Sequence, residues 1–416
     1  MEKYQCFPFK LSNGLKILYL PIKTSESVFV SLIGKVGRRA EEGSEVGAAH
    51  FLEHLFFDGT KKRPNALQLS QFLEYYGGEH NGFTSAEVVE YFVKILPEKA
   101  EVAFDYLSDT FFNSLLKEIE KERKVIVQEA AANRDNPAEV LRRLSLTNLY
   151  PGQPIGRTIF DEEPNLKNIN EALLRGYMDR SCVAENFVLS IAGNIKRDKA
   201  ISLAEKYFTN FKKGKETFFE KARIREKGAI EITRKDLTQA KLSINFRGFE
   251  MNSYEGIVAQ LLSTIIGGGM SSRLFNKLRN EEHLVYAVRS FHHQFSDTGY
   301  FSVQTFVAED NLQRATNEIF VEIRKLLDYG ITDEELEKAK NVFLTDFLFR
   351  MEKINSYVSF FNSQFLLKGK IKGVEERIKE VKRTTKENIL EIAKFIFSDK
   401  PKVNVLTKSL EKLEIS

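Results

Sequence analysis

The strongest constraint on the fold is an order of elements that occurs twice along 416 residues. In the first half, alternating positions Phe7, Phe9, Leu11 and then Leu15, Ile17, Tyr19 flank Asn13-Gly14. An Asn-Gly pair takes the positive φ of a hairpin turn at low cost, so the stretch reads as two paired strands. A strand over 28–33 follows, then helices over 48–57 and 66–76, a break at Gly77-Gly78, and one long strand over 83–96. Helices over 100–112 and 117–133, a buried strand over 186–192 and a helix over 199–208 complete this half. The second half restarts with a strand (240–246), a helix (254–266), a break at Gly267-Gly268-Gly269 and a helix (273–280). Strands near Tyr286 and Tyr300 and helices from about 311 and 333 end it.

Between the halves, Lys212 to Lys227 is dense in charge and has no apolar period, as an interdomain linker would be. The expected layout is therefore a first domain over 1–212, a linker over 213–227 and a second domain over 228–416. The fold class is α+β: two duplicated domains, each a largely antiparallel sheet with helices packed on one face.

The 62 Lys and Arg are interleaved with 58 Asp and Glu, leaving +4, which argues against nucleic acid or an anionic membrane as the main partner. Cys6 and Cys182 are too few and too far apart for a disulfide framework, which points to a reducing cytoplasm. No stretch approaches the ~20 apolar residues of a membrane helix. The first residues do not read as a signal or transit peptide.

Chemistry concentrates in AAHFLEHLFFDGT, residues 48–60. On a helix, His50 and His54 point within about 40° of each other, with Glu53 about 60° to the other side of His50. Two imidazoles, one further protein ligand and an open position suit zinc. A carboxylate beside them, here Glu53, can take a proton from water and pass it to a leaving amine. The H-x-x-E-H order is the inverse of the H-E-x-x-H helix known from zinc peptidases. The competing reading is a half-buried His pair satisfied by backbone carbonyls. A third ligand would decide between them. Glu122 and Glu129 lie seven apart on the predicted 117–133 helix, on one face and beside the apolar run Val125-Ile126-Val127. A buried carboxylate is costly unless it is paired or bound to metal, yet a helix this charged also suits plain solvent exposure. Spacing alone leaves that choice even.

At this point the sequence resembles the pitrilysin-like metallopeptidases, which include insulin-degrading enzyme and the mitochondrial processing peptidase, over nearly the whole chain. The resemblance implies one zinc ion, with Glu129, 75 residues past His54, as its third ligand and Glu122 supporting the site. Gln128 stands where the family often has Glu, at a position not expected to ligate. Residues 77–84, GGEHNGFT, look like the family's G-G-x-x-N-A-x-T turn, with Gly82 in place of Ala. That implies substrate contacts by Asn81 and Thr84, with the peptide added as a strand. Residues 270–275 and 278–286 look like the C-terminal signature, implying that Arg279 and Tyr286 contact substrate and steady the oxyanion. Without the resemblance, Asn81 reads as a turn residue, Tyr286 as a core aromatic and Arg279 as a solvated charge.

The function implied is a zinc-dependent endopeptidase acting on peptides or unfolded segments inside a chamber closed by two protomers. Because one chain carries both sets of residues, a homodimer suffices, and a homologous partner subunit is the variant arrangement. A leader-removing processing enzyme would use the same motifs. The rival of another class is a non-catalytic assembly subunit, which usually has a broken metal motif.

Overall fold

The computed structural model describes residues 5–226, 228–235, 237–410 and 412–414. Gly14 takes a φ of +101°, and the Asn13 side chain accepts from the Leu15 amide at 3.1 Å. This turn pairs β1 (Phe7–Lys10) with β2 (Lys16–Pro21) antiparallel, Lys10 opposite Lys16. β3 (Val28–Gly34), α1 (Ala48–Leu55) and α2 (Ala66–Tyr75) follow.

The stretch expected as one strand over 83–96 is instead the body of a hairpin. β4 (Glu79–Thr84) and β5 (Val89–Ile95) run antiparallel, with Thr84 opposite Val89. Ser85 closes the turn: its amide donates to the Val88 carbonyl at 2.8 Å, and its hydroxyl accepts from the Val88 amide at 3.1 Å. A serine turn inside an apolar run, without Gly or Pro, carries no obvious punctuation.

The first half continues through α3 (Ala100–Asn113), α4 (Ile119–Asp135), α5 (Pro137–Leu149), α6 (Glu171–Ser181), β6 (Phe187–Gly193) and α7 (Arg197–Phe208). The second holds β7 (Ala229–Arg234), β8 (Ala240–Arg247) and α8 (Tyr254–Gly267). The helix expected over 273–280 is one α turn, Arg273–Phe275, running into a π-helical turn, Asn276–Glu281. Then come β9 (Val285–Gln294), β10 (Gly299–Val307), α9 (Leu312–Tyr329), α10 (Asp333–Met351), α11 (Ile354–Lys368), α12 (Val374–Arg383), α13 (Lys386–Phe397) and β11 (Lys402–Thr407).

Two sheets result, ordered β1-β2-β6-β3-β5-β4 and β7-β11-β8-β10-β9. Among the described residues, the β2/β6 and β7/β11 pairs are parallel and the other pairs antiparallel. Each sheet has its own apolar core, the first around Val30, Leu32, Phe51, Phe104 and Ile191, the second around Leu242, Ile244, Leu261, Phe301 and Ile319. The chain is thus α+β with two mixed, mostly antiparallel sheets.

The compact units interleave in sequence. One comprises the chain up to Ala132 with Arg157–Glu220 and Arg350–Ile371; the other holds Asn133–Gly156, Lys221–Phe349 and the chain from Lys372. Each contiguous half therefore lends one helix to the other half's sheet. α11 lies on β3 and β6, and α5 on β8 and β11. Both cover a sheet face opposite the main helical layer, and both seams are polar. Asn362 of α11 meets Glu90 at 3.2 Å and the buried hydroxyls of Ser31 and Ser190. Ser145 of α5 meets Ser243 at 2.9 Å, and Asn148 donates to Asn404 at 3.1 Å. Buried polar groups must find partners, so these side chains fix which helix fits which sheet.

Glu90 gives this seam a pH dependence. Burial pushes its carboxyl above the usual range, against the hydrogen bonds from Ser31 and Asn362. The folded chain therefore keeps a proton that the unfolded chain releases. Stability falls as pH rises from the unfolded carboxylate pKa, about 4.3, toward the raised folded value. Glu90→Gln keeps both acceptor contacts without the charge. It is expected to raise Tm at pH 7, with the gain shrinking toward pH 4; thermal melts across that range check it.

Candidate metal centre

α1 is built to present one polar edge from an apolar helix. Phe51, Leu52 and Leu55 are buried, and His50 with them, while His54 keeps partial exposure. Gly47, at φ +98°, turns the chain into the helix. The first-turn amides of Gly47 and Ala49 donate to the Glu41 carboxylate at 3.0 and 2.9 Å. Burial, aided by the charge of Glu162, pushes Glu41 up to about 7 despite those two bonds.

The two imidazoles lie with ring centroids 5.0 Å apart. Nε2 of His50 is 3.4 Å from Oε2 of Glu129 on α4, and Nε2 of His54 is 3.8 Å from the same oxygen. Among the described residues, His50, His54 and Glu129 are the one group of three metal-ligating side chains so placed, with ligand atoms within 4.8 Å of one another. The expectation that two imidazoles of one helix and a distant glutamate converge is met in space.

The far side of each ring is also held. Nδ1 of His50 lies 2.8 Å from Oε2 of Glu162, and Nδ1 of His54 lies 2.9 Å from Oε2 of Glu122. A carboxylate only accepts, so each Nδ1 carries a proton and each ring turns its Nε2 toward Glu129, where that nitrogen can offer its lone pair once a bound ion displaces any proton on it. That is the donor set a zinc ion needs: two oriented neutral imidazoles and a carboxylate. The protein groups alone show the same polarity. Burial opposes charge on His50, yet the hydrogen bonds it donates to Glu129 and Glu162 outweigh it and push the ring up to about 10. The same pairing with His50 holds Glu129 below the usual carboxylate range.

Glu53 stands beside this cluster and outside it. Its Oε2 accepts from the Thr84 hydroxyl at 2.6 Å, which ties it to β4. Gly82 on that strand leaves room for it: a Cβ there would lie 3.1 Å from Glu53 Cγ and 3.2 Å from Phe57. β4 is the edge strand of its sheet, with Asn81 exposed and its Oδ1 accepting from the Gly82 amide at 2.9 Å. Arg279 and Tyr286 belong to the second unit, where the structure places them together. Arg279 Nη1 donates to the Tyr286 carbonyl at 2.8 Å, and its guanidinium lies 4.7 Å from the Tyr286 ring centre. Tyr286, on the edge strand β9, is 73% exposed; it is not a core aromatic.

Two participants were not foreseen. Glu162 sits in the acidic run Asp161-Glu162-Glu163, where only burial separates it from its neighbours. Arg38, paired with Glu162, lies in the turn after β3. Neither carries a spacing signal. Their relation to His50 exists only in three dimensions.

An inverted His-x-x-Glu-His helix facing a distant glutamate, on two α+β units, defines a chain of the zinc-protease class. Residues 16–163 match the family described as Insulinase (Peptidase family M16), and residues 168–343 match Peptidase M16 inactive domain. The chain belongs to peptidase family M16, as a short two-domain member. It is 34% identical to an uncharacterized zinc protease of Rickettsia felis over 94% of both chains. To the uncharacterized zinc protease YmxG of Bacillus subtilis it is 32% identical over 96% of both. Its fold matches that of a protease from Helicobacter pylori with a TM-score of 0.88 at 22% identity, covering 98% of this chain and 100% of that one. It also matches a chain of Complex III2 from Candida albicans, with a TM-score of 0.85 at 16% identity and 97% of each chain covered. Among the described residues, no helix is long and apolar enough to cross a membrane.

Proposed function

We propose that this chain is a zinc-dependent endopeptidase that hydrolyses peptides or unfolded segments. One observation carries the reading: both Nε2 atoms face Glu129 because both Nδ1 atoms are tied to carboxylates, with Glu53 held just outside the set. His50, His54 and Glu129 would hold the ion, and Glu122 and Glu162 would orient the rings. Bound zinc supplies Lewis acidity toward the scissile carbonyl and makes water easier to deprotonate.

Glu53 then takes a proton from the attacking water and returns it to the departing amine. Thr84 keeps that carboxylate turned toward β4. Peptide backbone added along the free edge of β4, beside Asn81 and Thr84, would bring a carbonyl past Glu53. Arg279 and Tyr286 form a cation and phenol pair suited to stabilising the oxyanion. Since one chain carries both the His50 cluster and this pair, a homodimer closing around a chamber would hold two complete sites.

Digestion of a peptide library by purified protein, with and without chelator, tests this. Cleavage that chelator abolishes and zinc restores is expected; full cleavage in chelator overturns the reading. A non-catalytic assembly subunit would contain no stoichiometric zinc and cleave nothing.

A further inference from the structure

Arg38 touches both sides of the candidate site at once. Its Nε donates to Oε1 of Glu162, whose other oxygen, Oε2, holds Nδ1 of His50 at 2.8 Å. Its Nη1 donates to the Thr84 carbonyl at 3.0 Å, and the Thr84 hydroxyl in turn holds Glu53 at 2.6 Å. One rigid guanidinium therefore joins the residue that orients a metal ligand to the residue that orients the base.

The backbone around it is fixed as well. The Arg38 amide donates to the Ser85 carbonyl at 3.1 Å and the Arg39 amide to Ala86 at 2.7 Å, stitching this turn to the one that follows β4. The Arg38 and Glu162 side chains are only 14% and 1% exposed, so water competes little for these contacts. A guanidinium serves two acceptors in one plane at set angles, which a lysine ammonium cannot reproduce.

We propose that Arg38 and Glu162 act as one positioning unit that sets His50 and Glu53 relative to each other and to the edge strand β4. The inference rests on the zinc-peptidase reading and adds to it Arg38, which touches neither ion nor substrate, and its coupling to Glu162. Removing Arg38 lets the Glu162 carboxylate turn from His50 and loosens the Thr84 contact that holds Glu53. Removing the Glu162 charge frees His50 and unseats Arg38, so metal affinity and turnover should fall in concert.

The test uses the wild-type chain, Arg38→Ala, Arg38→Lys, Glu162→Gln and the Arg38→Ala/Glu162→Gln double variant. Zinc affinity is read by competition with a chromophoric chelator, kcat and KM on a quenched fluorescent peptide, and folding by circular dichroism and Tm. Arg38→Ala and Glu162→Gln are each expected to weaken zinc by about 10–100-fold, as loss of a ligand-orienting partner does elsewhere. They should lower kcat while KM stays within about twofold, since no substrate contact is removed. The double variant should be no weaker than the poorer single one, because both break the same unit. Arg38→Lys keeps the charge and loses the fork, so it should recover zinc affinity only in part.

A purely structural role would lower Tm while leaving zinc affinity and kcat of the folded protein unchanged, and that result overturns the proposal. So do losses that add in the double variant. Should Arg38→Ala not fold, Arg38→Lys and Glu162→Gln decide on the same readouts. If the wild-type chain itself binds no zinc, the endopeptidase reading fails; zinc and cleavage retained in every variant would leave that reading standing and remove this one.

Discussion

Glu53→Gln is expected to lower kcat by about 10²–10⁴-fold, the usual worth of a positioned general base, while zinc remains stoichiometric. The glutamine carbonyl still accepts from the Thr84 hydroxyl, so the 2.6 Å tie to β4 and the placement of α1 survive. Glu53 is not part of the His50, His54 and Glu129 group, so no ligand is lost. What disappears is the capacity to take a proton, a deficit of about 3–5 kcal/mol in the barrier. Steady-state kinetics on a quenched peptide, with metal analysis of the same sample, check both halves. A variant that keeps zinc and turns over at more than a tenth of the wild-type rate removes Glu53 from its assigned role.

Glu129→Ala should abolish zinc binding at micromolar metal, and cleavage with it. Two imidazoles without an anionic third ligand make a poor site for a dication. The metal-free fold should keep its core, because the Glu129 side chain is 45% exposed and its loss removes only the pairing with His50 and its hold on the His54 side. The cleanest readout is therefore linkage between metal and stability. A ligand present at about 1,000 times its Kd stabilises the folded state by about 4 kcal/mol. For units of this size that is a rise in Tm of order ten degrees. Wild-type protein melted with and without zinc should show that rise, and Glu129→Ala should show none. An equal zinc-dependent rise in both proteins would mean that the ion sits elsewhere.

What could be read from the sequence followed from periodicity. A 3.6-residue repeat puts His50, Glu53 and His54 on one edge of α1, and a seven-residue interval puts Glu122 and Glu129 on one face of α4. Both placements stand in the structure: Glu129 faces both rings, and Glu122 holds His54 from its other side. Periodicity says nothing about partners brought together by tertiary folding. Glu162 lies 112 residues from His50, and Arg38 another 12 residues before that histidine.

Polar seams were hidden for a related reason. Ser145 and Asn148 on α5 and Asn362 on α11 look like solvent-facing positions, because sequence patterns equate polar with exposed. Here the sheet faces they meet are themselves polar, through Ser243, Asn404, Ser31 and Glu90, and all are buried. The exchange of one helix between the halves therefore had no hydrophobic signature. Pairing of β7 with β11, whose first residues lie 173 positions apart, is equally silent in a local pattern. The hairpin inside 83–96 was missed because a serine turn interrupts an apolar run without changing its composition.

Every step proposed for this chain depends on one zinc ion bound by His50, His54 and Glu129. X-ray absorption at the zinc edge, on protein purified without added metal and quantified for zinc per chain, tests this most directly. One ion per chain, with a shell of two imidazole nitrogens and carboxylate oxygen at about 2.0–2.2 Å that is lost in His50→Ala, is the predicted result. Fully active protein free of zinc, or the same spectrum surviving in His50→Ala, would contradict it.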